Sequence, residues 1–128
     1  MPRNMSFAIT TEQMRNRTKT VTRRNGWWNL KPGDIVNACV KCMGLKPGEK
    51  IERICQIRIV SCAKSKDEGE PLRRLVADLD YGFAETTKEG YPEGTDKHWP
   101  SCFTEMFIAN MGGDLDTPRN RIAFEFLD

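Results

Sequence analysis

Lys19-Thr20-Val21-Thr22-Arg23-Arg24 puts three cations and two hydroxyls within six consecutive residues. Lysine and arginine recognise phosphate and other anions, while a threonine hydroxyl offers a hydrogen bond or, once its proton is removed, a nucleophile. The segment lies in a basic stretch: residues 1–31 carry Arg3, Arg15, Arg17, Lys19, Arg23, Arg24 and Lys31 against Glu12 alone, a net +6. Since the whole chain sums to only +2, the remainder is −4. A positive cluster on a nearly neutral chain suits a local anion site or a solvated basic face, not a general polyelectrolyte binder. Trp27-Trp28 follow directly, and aromatic rings beside a basic strip are what unpaired bases stack on. The competing role is core packing. Adjacent residues of an extended segment face opposite ways, which predicts one tryptophan buried and one available.

Two other constellations carry less chemistry. Cys39-x-x-Cys42 has the spacing of half a zinc site, with Gly44 placed for a knuckle turn, but no second pair accompanies it and Cys55 and Cys62 have no histidine partner. Residues three apart in a regular strand face opposite sides, so no metal is expected there, and no cofactor is implied elsewhere. His98 is the sole histidine and precedes a helix in a polar loop, where it is expected to be exposed and inert.

These residues need a scaffold. With 128 residues and 38% hydrophobic content, the chain suffices for one core, and a single domain over 1–128 is expected. No apolar run approaches the roughly 20 residues that span a bilayer, and residues 1–14 lack a signal-peptide core. A cytoplasmic monomer without a membrane partner is predicted. Five cysteines, an odd number in a chain that needs no staples, read as free thiols.

The first strand is predicted at 7–9 and a short helix from Thr10 or Thr11 to about Arg17, followed by an extended 19–24. Leu30-Lys31-Pro32-Gly33-Asp34 and Leu45-Lys46-Pro47-Gly48-Glu49 repeat a type II turn signal. Between and after them, 35–43 places Val36, Ala38, Val40 and Cys42 on one face, and 51–62 places Ile51, Cys55, Ile57 and Ile59 likewise, as antiparallel strands with one face in the core do. Residues 64–70 read as a mobile polar loop, and 81–89 as a short helix stopped by Gly90 and Pro92. Pro100 opens the best helix, with Phe103, Met106, Phe107 and Met111 at helical spacing and Gly112-Gly113 as the stop. Residues 121–127 form a closing strand with Ile122, Phe124 and Phe126 inward.

The order of these parts resembles the ASCH domain of the PUA-like superfamily: a short helix, the 19–24 motif, Leu30-Lys31-Pro32-Gly33-Asp34 feeding a strand, then Lys88-Glu89-Gly90 and the closing strand. The likeness covers most of the chain and is weakest over 64–80. It implies an α+β fold, a small antiparallel β-barrel with helices packed outside, and recognition of RNA or a modified nucleoside in a cleft. Some small bacterial members are amidohydrolases acting on N4-acetylcytidine, and another member is a ribonuclease. Under the hydrolase reading Lys19, Thr22 and Glu89 would be catalytic, with Glu85, one turn earlier, as the alternative carboxylate. Arg23, Arg24, Trp27 and Trp28 would bind substrate or nucleic acid. A binding module without turnover is the alternative. Convergence of Lys19 and Thr22 requires an irregular backbone at Thr20-Val21, with the lysine amine in hydrogen-bond reach of the threonine hydroxyl and Glu89 close to both. The chain departs from the small hydrolases by inserting residues 25–29 and by a longer central loop.

Overall fold

Each Leu-Lys-Pro-Gly segment folds as its composition requires: Gly33 and Gly48 adopt φ of +95° and +83°, which glycine reaches without the Cβ clash that other residues pay. The turns close in the same way, Asp34 N donating to Lys31 O and Glu49 N to Lys46 O. Each acidic side chain then accepts from the first turn residue, Lys31 N to Asp34 and Lys46 N to Glu49. The structure, a computed structural model, describes residues 2–42 and 45–127.

The chain runs β1 (Arg3–Ser6), α1 (Thr11–Arg15), β2 (Val21–Arg24), β3 (Ile35–Cys39), β4 (Arg53–Ser61), β5 (Glu70–Pro71), α2 (Arg73–Ala77), α3 (Leu79–Lys88), α4 (Pro100–Met111) and β6 (Pro118–Phe126). Five strands follow the path β1-β3-β4-β6-β2, and β5 pairs with the start of β6. The sheet curls into a half-barrel, and the architecture is α+β as expected. It is mixed, however, not wholly antiparallel: β1 pairs parallel with β3, Arg3 opposite Val36 through Ser6 opposite Cys39. The reason is connectivity. α1 and β2 intervene between β1 and β3, a crossover long enough to bring the second strand back in the same direction.

Met5, Phe7, Met14, Leu30, Val36 and Ile57 belong to the apolar cluster under the sheet, and Leu72, Leu75, Tyr91, Phe103 and Phe107 form another among the helices. Several expectations shift in detail. The first strand lies at Arg3–Ser6 and not at 7–9, because Thr11 Oγ1 donates to Phe7 O and Ala8 O and turns the chain into α1. Phe7 still enters the core. Ile51 precedes β4 and is 43% exposed, and Met111, at the last turn of α4, is 38% exposed. Met43, at the end of the expected 35–43 strand, lies outside the described residues. The expected loop 64–70 holds a 3-10 turn and β5, with α2 just beyond it. Among the described residues no helix is long and apolar enough to cross a membrane.

Candidate functional site

The residues leading into β2 are held by backbone bonds before any side chain acts. Thr18 N donates to Gln13 O, and Thr20 N to Lys88 O at 2.8 Å, while Phe124 N donates to Thr20 O. The lead-in is thereby docked on the C-terminal end of α3. Gly90 makes this approach feasible: its φ is +103°, and a Cβ there would stand 2.7 Å from Gln13 Cγ and 3.4 Å from Lys19 Cβ. Lys19 Nζ then reaches Glu89 twice, 2.8 Å to Oε1 and 2.9 Å to the main-chain oxygen. That carbonyl lies at the negative end of a helix dipole, which favours a cation. Burial nevertheless lowers the Lys19 pKa from its usual value, Glu89 opposing the shift.

Arg23 shares Glu89. Its Nη1 donates to Glu89 Oε2 at 2.8 Å, and its Nη2 to Glu85 Oε1 at 2.6 Å and Glu70 Oε1 at 2.7 Å. Arg23 stands opposite Arg121 in the β2–β6 pair, a like-charge juxtaposition that destabilises unless it is bridged. Glu85 bridges it, accepting from Arg121 Nε and, at 3.0 Å, from Arg121 Nη2. Burial pushes the Glu85 carboxyl up, yet the bonds from Arg121 and Arg23 outweigh it and hold the pKa at about 2. Tyr81 Oη completes the cluster by donating to Glu70 at 2.7 Å.

Thr22 and Arg24 alternate to the other face of β2. Arg24 Nε donates to Thr22 Oγ1 at 3.1 Å, and the Arg24 guanidinium lies 4.6 Å from the centre of the Phe7 ring. Burial lowers Arg24 to about 10, with Glu89 and Cys42 pulling the other way. Lys19, Thr22, Arg23, Arg24 and Glu89 all line a cleft of about 180 Å³, whose apolar wall includes Phe7, Tyr91, Phe103, Met106 and Phe107. The cleft is thus bounded by β2, the end of α3 and one face of α4.

No family sequence model and no curated protein sequence matches the chain. A solved structure does. The crystal structure of an ASCH domain from Lactobacillus crispatus JV V101 is similar with a TM-score of 0.56 and 13% identity, over 97% of this chain and 78% of that one. The fold is that of an ASCH domain. Within this ASCH fold the β2 motif and the turn after α3 sit side by side, although 64 residues separate Arg24 from Lys88.

The expected site residues fare unequally. Lys19 and Glu89 meet as foreseen, but Lys19 Nζ goes to Glu89 and the Thr22 hydroxyl pairs with Arg24, so no Lys19–Thr22 bond forms. Strand alternation prevails: 19 and 23 face α3, whereas 22 and 24 face Phe7. Glu85 holds Arg23 and Arg121 and does not line the cleft, which leaves Glu89 as the cleft carboxylate. Neither tryptophan follows the one-in, one-out pattern, because Trp27 has φ of +64° and the segment is not extended. Both are half-buried. Trp27 borders a shallow groove beside the cleft, and Trp28 packs near Gly69.

His98 is half-buried, not exposed: its Nδ1 is 3.0 Å from Tyr91 O, its ring packs against Phe83, and Thr86 Oγ1 donates to its carbonyl. The Cys39 thiol is pushed up to about 11 by burial and by neighbouring Cys42, and Gly44 lies outside the described residues. Among the described residues no three His, Cys, Asp or Glu side chains could hold a metal ion. Sequence reasoning missed Glu70, Tyr81 and Arg121 in the ionic cluster and Tyr91 in the cleft. The available signal was an arginine at 121 beginning an otherwise apolar alternation.

Proposed function

We propose that this cleft receives one planar base, either of a nucleoside or of an unpaired RNA residue. The observation that carries this reading is the division of a roughly 180 Å³ cavity into an aromatic and methionine wall and a polar end made by Lys19, Thr22, Arg24 and Glu89. A nucleobase has the matching surfaces, an apolar face and an edge of donors and acceptors. The test is equilibrium binding to a panel of nucleosides and unstructured single-stranded RNAs, with products followed by mass spectrometry. Failure of every nucleoside and RNA to bind would end the reading.

A second reading is favoured by one feature, a lysine whose amine is lowered by burial in the same cleft as a hydroxyl. In it the protein hydrolyses the N4-acyl group of N4-acetylcytidine. Thr22 Oγ would attack the acyl carbon while the neutral Lys19 amine, swung from Glu89, takes its proton. The C–N bond would then break, the lysine returning the proton to the leaving exocyclic amine, and water would release the acyl group from Thr22. The rate is expected to rise with pH through a value below the ordinary lysine pKa, the sign expected when the base must be deprotonated. Lys19→Met should reduce turnover by at least about 10²-fold while leaving base binding largely intact. An unchanged nucleoside at every pH, alongside tight RNA binding, would leave a binding module.

A further inference from the structure

Arg24 lines the cleft and also a second, shallow groove formed by Arg3, Asn25, Gly26, Trp27 and Asn29. We propose that the two concavities together form a strand site: a base in the cleft, its phosphodiester on Arg24, and the adjoining nucleotide in the groove of Arg3 and Trp27. The ligand class is therefore single-stranded RNA and not a free nucleoside, a conclusion that rests on the base-binding reading above.

Three observations converge on it. First, Arg24 is the cation at this junction whose guanidinium has no carboxylate within ion-pair distance among the described residues; only its Nε is used, on Thr22. Its fork is left for an anion, and a phosphate accepts such a fork with two parallel hydrogen bonds. Second, the groove carries two arginines and no acidic residue, and the side chains of Asn25 and Asn29 are spent internally, on Met111 O and Arg119 and on Arg3 respectively. The charge that lines the groove is therefore positive.

Third, the groove wall sets an arginine over an indole ring. The Arg3 guanidinium lies 4.7 Å from the centre of the Trp27 ring and donates to Asn29 Oδ1 at 3.0 Å. Trp27 is held in the left-handed region, φ +64°, by bonds from Leu30 N at 3.1 Å and Asn120 Nδ2 at 3.0 Å to its carbonyl. A bulky residue kept at positive φ is strained, and such strain persists where surrounding contacts over-determine the geometry, most often at functional sites. Bases stack on tryptophan rings and on arginine planes alike.

The test compares two probes on the full chain: a fluorescein-labelled unstructured oligopyrimidine RNA, read by anisotropy, and cytidine 5′-monophosphate, read by calorimetry. The RNA should bind more tightly. Arg3→Glu, at an exposed position, should weaken the RNA about tenfold and lower the salt slope of its binding by at least about one. The same variant should leave the mononucleotide within about twofold, since that ligand fills only the cleft. Trp27→Leu should repeat the RNA loss, provided its melting curve shows a folded protein. If RNA and mononucleotide bind equally and Arg3→Glu alters neither, the strand site is wrong and the base-binding reading survives. Equal weakening of both probes by Arg3→Glu would also remove the second groove. Absence of binding by either probe overturns both proposals together.

Discussion

Arg23 and Arg24 both border the cleft, but Arg23 donates to Glu70, Glu85 and Glu89 on the side of β2 that faces α3, whereas Arg24, one residue on, has one hydrogen bond to Thr22 and its guanidinium over Phe7. The chemistry of the two side chains is identical, so the difference comes from what the fold puts opposite them. Glu89 and Glu70 raise the Arg23 pKa despite its burial; burial without a bonded carboxylate lowers that of Arg24. A buried charge that is fully paired is committed to the scaffold, and one that is desolvated without a partner is available to a ligand. The ionic cluster thus closes the β2–α3 seam, and the cleft beside it stays open.

The largest effect should follow from emptying the closed side. Arg23→Leu would leave Glu85 and Glu89 buried with one cation fewer, at 1% and 3% exposure. Removing one partner of a buried, hydrogen-bonded charge group typically costs about 3–5 kcal/mol. Urea or guanidinium denaturation of the variant should show a loss of that order, and a loss below about 1 kcal/mol would mean that the cluster contributes little to holding β2 against α3.

The same cluster should make stability depend on pH in the acid range. The folded Glu85 pKa of about 2 lies below its ordinary 4.5, so the folded state binds the proton less readily than the unfolded chain. Stability from this group is therefore complete above about pH 5 and is lost as the pH falls towards 2. Glu85→Gln should lower the melting temperature at neutral pH and flatten its fall between those limits. A variant that keeps the full acid slope would assign that slope to other carboxylates.

Much of this arrangement could be read in the sequence, and the physical reason differs by element. The two Pro-Gly turns, the Pro100 helix and the β4 and β6 alternations are local signals, decided by φ and by periodicity. Motif order singles out Lys19, Arg24 and Glu89, and the three side chains line one cleft. What could not be read depends on contacts far apart in sequence. Whether Lys19 pairs with Thr22 or with Glu89 is settled by the docking of Thr20 on Lys88, and the saturation of Arg23 depends on Glu70 and Glu85 from two other elements. Likewise the parallel β1–β3 pair follows from the crossover, which alternation within one strand does not encode. The helical spacing of Phe103, Met106 and Phe107 showed an apolar face but not that part of it would line a cleft.

The smallest effect on stability, and the sharpest contrast, should come from Arg24→Ala. The substitution removes one hydrogen bond to a hydroxyl and a cation–π contact, each worth about 1–2 kcal/mol, and it also relieves the burial that lowers Arg24 to about 10. These terms oppose each other, so the melting temperature should move little while Arg23→Leu unfolds readily. Ligand binding should respond in the reverse order. Loss of a charge-assisted bond to phosphate costs about 1.5–3 kcal/mol, a tenfold or greater weakening of the RNA. Arg24→Lys should restore only part of it, because an ammonium keeps the charge but not the planar fork. If Arg24→Ala instead destabilises the protein as much as Arg23→Leu, the stacking on Phe7 holds the sheet together and the division between a closed seam and an open cleft fails. If both arginine variants fold and bind RNA as the wild type does, the anion is held elsewhere, and the comparison survives as a statement about stability alone.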